Sequence, residues 1–405
     1  MKNLISVIIM GCLSNMALAN ESSTIKIMHY NIKELDTVKI NSGIKDNDQF
    51  KAVKSILDSY NIDILSLNEI QYDLPSIPTK EYTSKGLNLD KLRNAFSLSS
   101  LSEEVFYPAN TGNNAKPMPN GDYYQNPGDA LARASADRVN FGTMPSQYST
   151  GAMFRFKKIN ETVFTDLKWK DFNPKLDLSK FADANGNSLP QNMELFDKNF
   201  TDVTIEVDGK ELHIILLHTV PAYHFGNMKS VNYKRNEDQL KFLEWYLTGT
   251  TDFKVNIKGI KPLKKNSYYV AVGDFNTSFH DPDKLGSIVL RRFYKKSKLW
   301  IGDNSKLSFT NEGDGYKKKP SRLMLDYIAY SQNIEMINGK IIHPRFDNVQ
   351  LGCKSNTEKP KKPKGMVEVS WRERDKICKA FVYPEYKLFK EASDHYPIYG
   401  EFRLK

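Results

Sequence analysis

The sequence predicts an α/β protein in which strands and helices alternate along one large unit, and three observations carry that prediction. Short apolar runs end repeatedly in a polar, chemically capable residue. Apolar stripes at helical spacing lie between those runs. The chain has 405 residues, 40% apolar and 12% aromatic, enough for a sizeable core, and no Ser/Gly/Pro-rich linker divides it. It carries no internal repeat of solenoid type.

The elements follow in order. Residues 25–31 read as a strand with Ile25, Ile27 and His29 on one face, ending at Asn31. Residues 48–60 read as a helix, because Phe50, Val53, Ile56, Leu57 and Tyr60 form one stripe behind an Asp/Asn-rich entry. The run 62–69 is an apolar strand that delivers Glu69 at its tip. Residues 108–127 are polar and rich in Gly, Asn and Pro, an elaborated loop preceding a strand segment at 147–154. Asp208-Gly209 between 203–207 and 212–217 marks a hairpin whose second strand ends at His218. A second helix is expected over 235–247, with Leu240, Leu243 and Leu247 on one side. Residues 269–272 read as a buried strand; Gly273 then lets the backbone turn, so that Asp274 and Asn276 emerge together. Residues 324–330 place Asp326 at a strand's start, and Ser393-Asp394-His395-Tyr396-Pro397 closes the series.

Each segment alone has a bland reading: Gly-Asp-x-Asn is usually a turn that bonds its own backbone, and a His ending an apolar strand is usually core. As an ordered set, Asn31, Glu69, His218, Asp274 with Asn276, Asp326, and Asp394 with His395 resemble the endonuclease/exonuclease/phosphatase superfamily. Deoxyribonucleases, abasic-site endonucleases, bacterial sphingomyelinases and inositol polyphosphate phosphatases belong to it. The resemblance spans residue 25 to the C-terminus. It implies a four-layer sandwich, two mixed β-sheets packed face to face with helices on the outside.

The chemistry implied by the resemblance is metal-dependent hydrolysis of a phosphate ester by water. Mg2+, or Mn2+ in its place, prefers oxygen ligands and takes few protein carboxylates. Glu69 is the foremost candidate ligand, Asn31 adds a carbonyl oxygen, and Asp394 holds a metal-bound water or a ligand position. Asp326 orients His395 and favours its protonated form. Asp274 activates water or manages a proton, and Asn276 holds the nucleophile or the phosphate. Tyr148 is a candidate phosphate contact. In deoxyribonuclease relatives a Glu pairs with the His at the position of His218; here Thr150 occupies that place, which puts a general-acid role for His218 in doubt. His224, in a loop after Pro221-Ala222-Tyr223 close to His218, could touch substrate, though a solvated loop His is the commoner reading, and His29, His213, His280 and His343 show no pattern that raises them above core or surface residues.

The N-terminus reads as an export signal of residues 1–19: Lys2 starts a positive region, 4–10 is apolar, and Ala17-Leu18-Ala19 fits cleavage after Ala19. Ser14 and Asn15 interrupt the stretch too early for a membrane span, and a lipoprotein signal at Cys12 is the lesser alternative. Loss of Cys12 would leave Cys353 and Cys378, an even pair expected to form a disulfide in an oxidising compartment. The rest, residues 20–405, is expected to be one catalytic domain, monomeric and without an obligate protein partner.

The formal net charge is +10, with clusters at 291–298, 317–322 and 354–364. Such runs suit a polyanion, since each cation that meets a phosphate releases counterions; a solvated face or anionic lipid satisfies the same charges. The expected substrate is nucleic acid. A sphingomyelinase-like action on phospholipid and an inositol- or sugar-phosphate phosphatase remain open as alternatives, and a non-catalytic binding protein on the same fold is a further one.

Overall fold

The computed structural model describes residues 24–71, 86–124, 128–302, 308–313, 315–353 and 361–405. The expected signal segment and Cys12 lie outside the described residues. Two six-stranded sheets form the frame. The first runs Ile334–Ile341, Ile398–Leu404, Thr24–Leu35, Ile64–Ile70, Thr150–Phe154, Glu103–Tyr107. The second runs Lys158–Val163, Asn199–Val207, Lys210–His218, Tyr268–Asp274, Asp326–Tyr330, Lys298–Trp300. Each is mixed: Thr24–Leu35 lies parallel to Ile64–Ile70, and Lys210–His218 parallel to Tyr268–Asp274, among antiparallel neighbours.

The sheets face one another across a dry core in which Ile27, Ile64 and Phe402 meet Leu216, Val270 and Val272, all fully buried. Each such side chain contributes roughly 1.5–3 kcal/mol of hydrophobic stabilisation. Helices Asp48–Leu57, Leu87–Ala95 and Pro384–Ala392 cover the outer face of the first sheet, and Asn232–Thr248 and Leu285–Tyr294 that of the second. The four-layer sandwich expected from the sequence is therefore the architecture observed.

Local chemistry explains the boundaries. Asn47 caps the first of these helices by accepting from Phe50 N at 2.8 Å; the helix ends at Leu57, short of the expected Tyr60. Asp208 and Gly209 both take left-handed φ values, 51° and 73°, at the predicted hairpin. The helix expected over 235–247 spans Asn232–Thr248 and stops at Gly249, φ 76°. It is buried on every side, because segments around Trp169 and Leu195 cover the face that the pattern assigns to solvent.

Two small sheets have no sequence forecast: Asn311–Glu312 with Arg322–Leu323, and the three-stranded Asn348–Gly352, Lys376–Val382, Val367–Glu373. Cys353 and Cys378 are disulfide-bonded, pinning the second of these. Among the described residues no helix is long and apolar enough to cross a membrane.

Candidate active site

The two large sheets deliver their polar strand ends to one place. Asp274 has His218 as its Cα partner on one side and Asp326 on the other. In the first sheet Asn31 opposes Asn68, which opposes Thr150. Asn31 joins the sheets: its Nδ2 donates to Glu69 Oε1 at 3.1 Å and to Asp274 Oδ2 at 3.3 Å. Ser393 fastens the C-terminal turn to the same point, its hydroxyl donating to Asn31 O at 2.7 Å and accepting from His395 N at 3.0 Å.

The turn after Asp274 is both the bland Asx turn and part of the site. Asp274 Oδ1 accepts from Asn276 N at 2.7 Å, and Asn276 Nδ2 donates to Asp274 Oδ2 and Thr219 O, each at 3.0 Å. The amide nitrogen of Asn276 is thus committed to fixing Asp274. Gly273 is required by proximity: a Cβ there would lie 1.9 Å from Leu217 O. Thr150 proves to have its own work. Its hydroxyl accepts from Asn68 Nδ2 at 3.0 Å, and Asn68 Oδ1 in turn accepts from the backbone N–H of Asp274 at 3.0 Å.

Asp326 and His395 form a close pair, Oδ2 to Nδ1 at 2.7 Å, both buried. Burial opposes charge on His395, but the carboxylates of Asp326, Asp274 and Asp394 outweigh it and push its pKa up to about 10. Burial likewise opposes ionisation of Asp326, yet His395 and His29 hold its carboxyl well below the usual range. Asp274 is pushed up to about 6 by burial, with His395 pulling down and Asp326 pushing up. His395 Nε2 lies 3.9 Å from Asp274 Oδ2.

His218 Nε2 stands 3.5 Å from the same Asp274 oxygen, but burial and then the nearby Lys198 ammonium drive its pKa well below the ordinary value. It is a neutral imidazole here, not a charged acid, and its Nδ1 has no hydrogen-bond partner among the described residues. Thr150 does not supply the missing carboxylate.

A divalent cation fits beside this group. Burial and the neighbouring carboxylates of Glu34 and Asp394 push Glu69 up to about 7, against the Asn31 amide and the His395 charge. A buried carboxyl that resists ionisation beside other carboxylates, with an amide oxygen at hand, is the donor set a hard cation relieves. The Glu69 backbone is left-handed, φ 63°, which turns its carboxyl out of the strand. Tyr148, φ 68°, hydrogen-bonds Glu34 and senses Glu69 as well, placing it at the rim of the carboxylates.

Several of these residues escape sequence reasoning. Glu34, Asn68 and Lys198 sit in no motif, and only their distance of a few residues from Asn31, Glu69 and the hairpin preceding His218 could have pointed to them. His213 pairs with Asp202 at 2.9 Å and His343 with Phe309 O at 2.7 Å, away from the site. His224 stacks on Tyr233 in the loop that bonds to Asn276 through Ala222 N. The basic run 291–298 is largely paired: Arg292 and Lys296 both bind buried Glu244, and Lys298 donates to Ile334 O.

No protein-family profile matches this sequence, and no curated protein matches it. Solved structures do match in shape. The endonuclease/exonuclease/phosphatase from Beutenbergia cavernae superposes over 94% of this chain and 72% of its own, with TM-score 0.51 and 11% identity. The chain adopts the endonuclease/exonuclease/phosphatase fold. Other chains matched at a lower TM-score include D. rerio TDP2 complexed with single strand DNA product, at 13% identity, TM-score 0.45 and coverage of 94% and 99%. The beta toxin of Staphylococcus aureus matches at 16% identity, TM-score 0.45 and coverage of 93% and 99%. Within the endonuclease/exonuclease/phosphatase fold, the polar cluster described above lies where strand ends of both sheets converge.

Proposed function

We propose that this protein is an exported, metal-dependent phosphodiesterase that cleaves nucleic acid with little sequence preference. The observation that carries hydrolysis of a phosphate ester is the convergence of Asp274, a Glu69–Asn31 pair and an Asp326-held imidazolium at one point. Glu69, Asn31 and Asp394 would hold Mg2+ or Mn2+, which when bound polarises a phosphoryl oxygen and acidifies a water. Asp274, with its pKa raised towards neutrality, takes the proton of the attacking water; Asn276 and Asn68 keep its carboxylate and backbone in place. His395, charged throughout the neutral range, stabilises phosphate oxygens, and neutral His218 donates one hydrogen bond into the group. Tyr148 contacts phosphate from the rim.

Nucleic acid is favoured by exposed cations on the flank that starts at Glu312, whose N–H donates to Asp394 O. Lys318, Lys319, Lys361, Lys362, Arg372 and Arg374 are exposed in the segments that follow it in the chain. A second reading, a phospholipid phosphodiesterase, is favoured by Phe225 and Met228, 73% and 82% exposed in the loop anchored to Asn276. We read the chain as a monomeric catalytic domain over residues 20–405, exported by its first 19 residues.

The mature chain should be screened with Mg2+, Mn2+ or EDTA on plasmid DNA, RNA, sphingomyelin vesicles and a chromogenic phosphodiester, beside Asp274→Ala and His395→Ala. Metal-dependent nicking lost in both variants is the expected result. Release of phosphocholine without nucleic-acid cleavage would move the protein to the lipid reading, and no turnover of any ester would refute the proposal.

A further inference from the structure

A third imidazole stands behind the site. His29, fully buried on the first sheet, reaches across to the second, with Nε2 3.3 Å from Asp326 Oδ1. Its Nδ1 lies 3.0 Å from Ser66 Oγ, the hydroxyl of its own Cα partner on the adjacent strand. Among the described residues neither His29 Nε2 nor Asp326 Oδ1 makes a well-formed hydrogen bond, and the two atoms face each other at 3.3 Å. The neutral tautomers differ sharply here. If Nδ1 carried the proton, a ring lone pair would face a carboxylate oxygen at 3.3 Å inside a water-free core. If the Ser66 hydroxyl donates to Nδ1, Nε2 carries the proton and an N–H rather than a lone pair faces the carboxylate of Asp326.

Asp326 is thereby held from three directions. Its backbone N–H donates to Thr310 Oγ1 at 2.9 Å, Oδ2 binds His395, and Oδ1 faces His29. A carboxylate with one oxygen unanchored can rotate about its Cβ–Cγ bond, and each such rotation would turn the imidazole of His395 away from the phosphate position. We propose that His29 is a positioning residue for the reaction: through a Ser66–His29–Asp326 chain it locks the carboxylate that orients His395. The inference rests on the phosphodiesterase reading for its kinetic consequence and on geometry alone for its structural one.

Two substitutions separate donor from bulk. His29→Gln keeps an N–H donor near the Nε2 position, and His29→Leu fills the space without one. Expected is a loss of about tenfold to a hundredfold in kcat for His29→Leu with KM unchanged, the scale typical of outer-shell partners of a site, and recovery to within a few-fold in His29→Gln. The second readout needs no substrate: the downfield imidazole N–H resonance of His395, from its bond to Asp326, should broaden or shift in His29→Leu and return in His29→Gln. Ser66→Ala, a small change that is compatible with folding, should move the same resonance part-way. A folded His29→Leu protein with unchanged kcat and resonance would overturn the proposal. So would a His29→Gln protein no better than His29→Leu, or a Ser66→Ala protein with the wild-type resonance should His29→Leu fail to fold. A wild-type protein that turns over no ester would sink the functional reading instead, while the resonance would still decide the role of His29.

Discussion

At the scale of residues, the decisive feature is a set of carboxylates whose ionisation is split by their surroundings. Asp326 is held ionised and His395 protonated, while Asp274 is raised to about 6. Because the folded pKa of His395 lies above its ordinary value, the stability it lends is complete below about 6.5 and is lost as pH rises through about 10. Asp274 acts in the same direction over a lower range: the native state keeps a proton that the unfolded chain gives up, so its contribution falls as pH rises from about 3.9 to about 6. Asp326→Asn removes the main cause of the His395 shift. Its pH profile of kcat/KM should show the alkaline limb moved to lower pH; an unmoved alkaline limb would mean that His395 does not act as the cation. Most residues of this set were legible as strand-end polar residues in a fixed order. Asn68 and His29 were not, because a buried amide or imidazole within an apolar run carries no mark of its partner on another strand.

At the scale of elements, helix Asn232–Thr248 shows where pattern reading fails. Its apolar residues predict one buried stripe, yet Arg235, Asn236, Asp238 and Gln239 are buried too, and each is spent on backbone or side chains of neighbouring segments. Asn236 Nδ2 reaches Thr219 Oγ1, Val220 O and Phe275 O, the loops that carry His218 and Asn276. Asn236→Ala is expected to destabilise the protein by about 1–3 kcal/mol, the cost of unsatisfied buried groups. It should also lower kcat at temperatures where the variant is still folded, measurable by thermal melts beside steady-state assays. The three-stranded sheet is a separate matter: its cross-link spans 25 residues, and opening a loop of that size costs roughly 3 kcal/mol in the chain-entropy account. Cys353→Ser with Cys378→Ser should speed amide exchange in Lys376–Val382 and leave exchange in Tyr268–Asp274 unchanged. That sheet had no forecast because the Lys/Pro-rich stretch 354–364 separates its first strand from the other two in the chain; only the cysteine count foretold its staple.

For the whole molecule, charge and topology act at different ranges. If the flank bearing Lys318, Lys319, Lys361 and Lys362 tracks a DNA backbone, replacing these four by Ser should weaken binding alike for all sequences. The slope of log K against log salt should flatten by about 0.9 for each phosphate that is no longer neutralised; an unchanged slope would place the substrate elsewhere. The α/β architecture itself was open to reading from strand-end order, whereas the pairing of Arg292 and Lys296 was not, since Glu244 lies some 50 residues away in the chain. The sandwich has one more consequence. Asn31 and Glu69 ride on the first sheet, Asp274 and Asp326 on the second, and His395 leads back into the first. Neither half owns a working site, so turnover reports on alignment between halves: a loosened state that kept every strand but let the inner faces slide by one pleat would look folded in far-ultraviolet light and be silent as an enzyme.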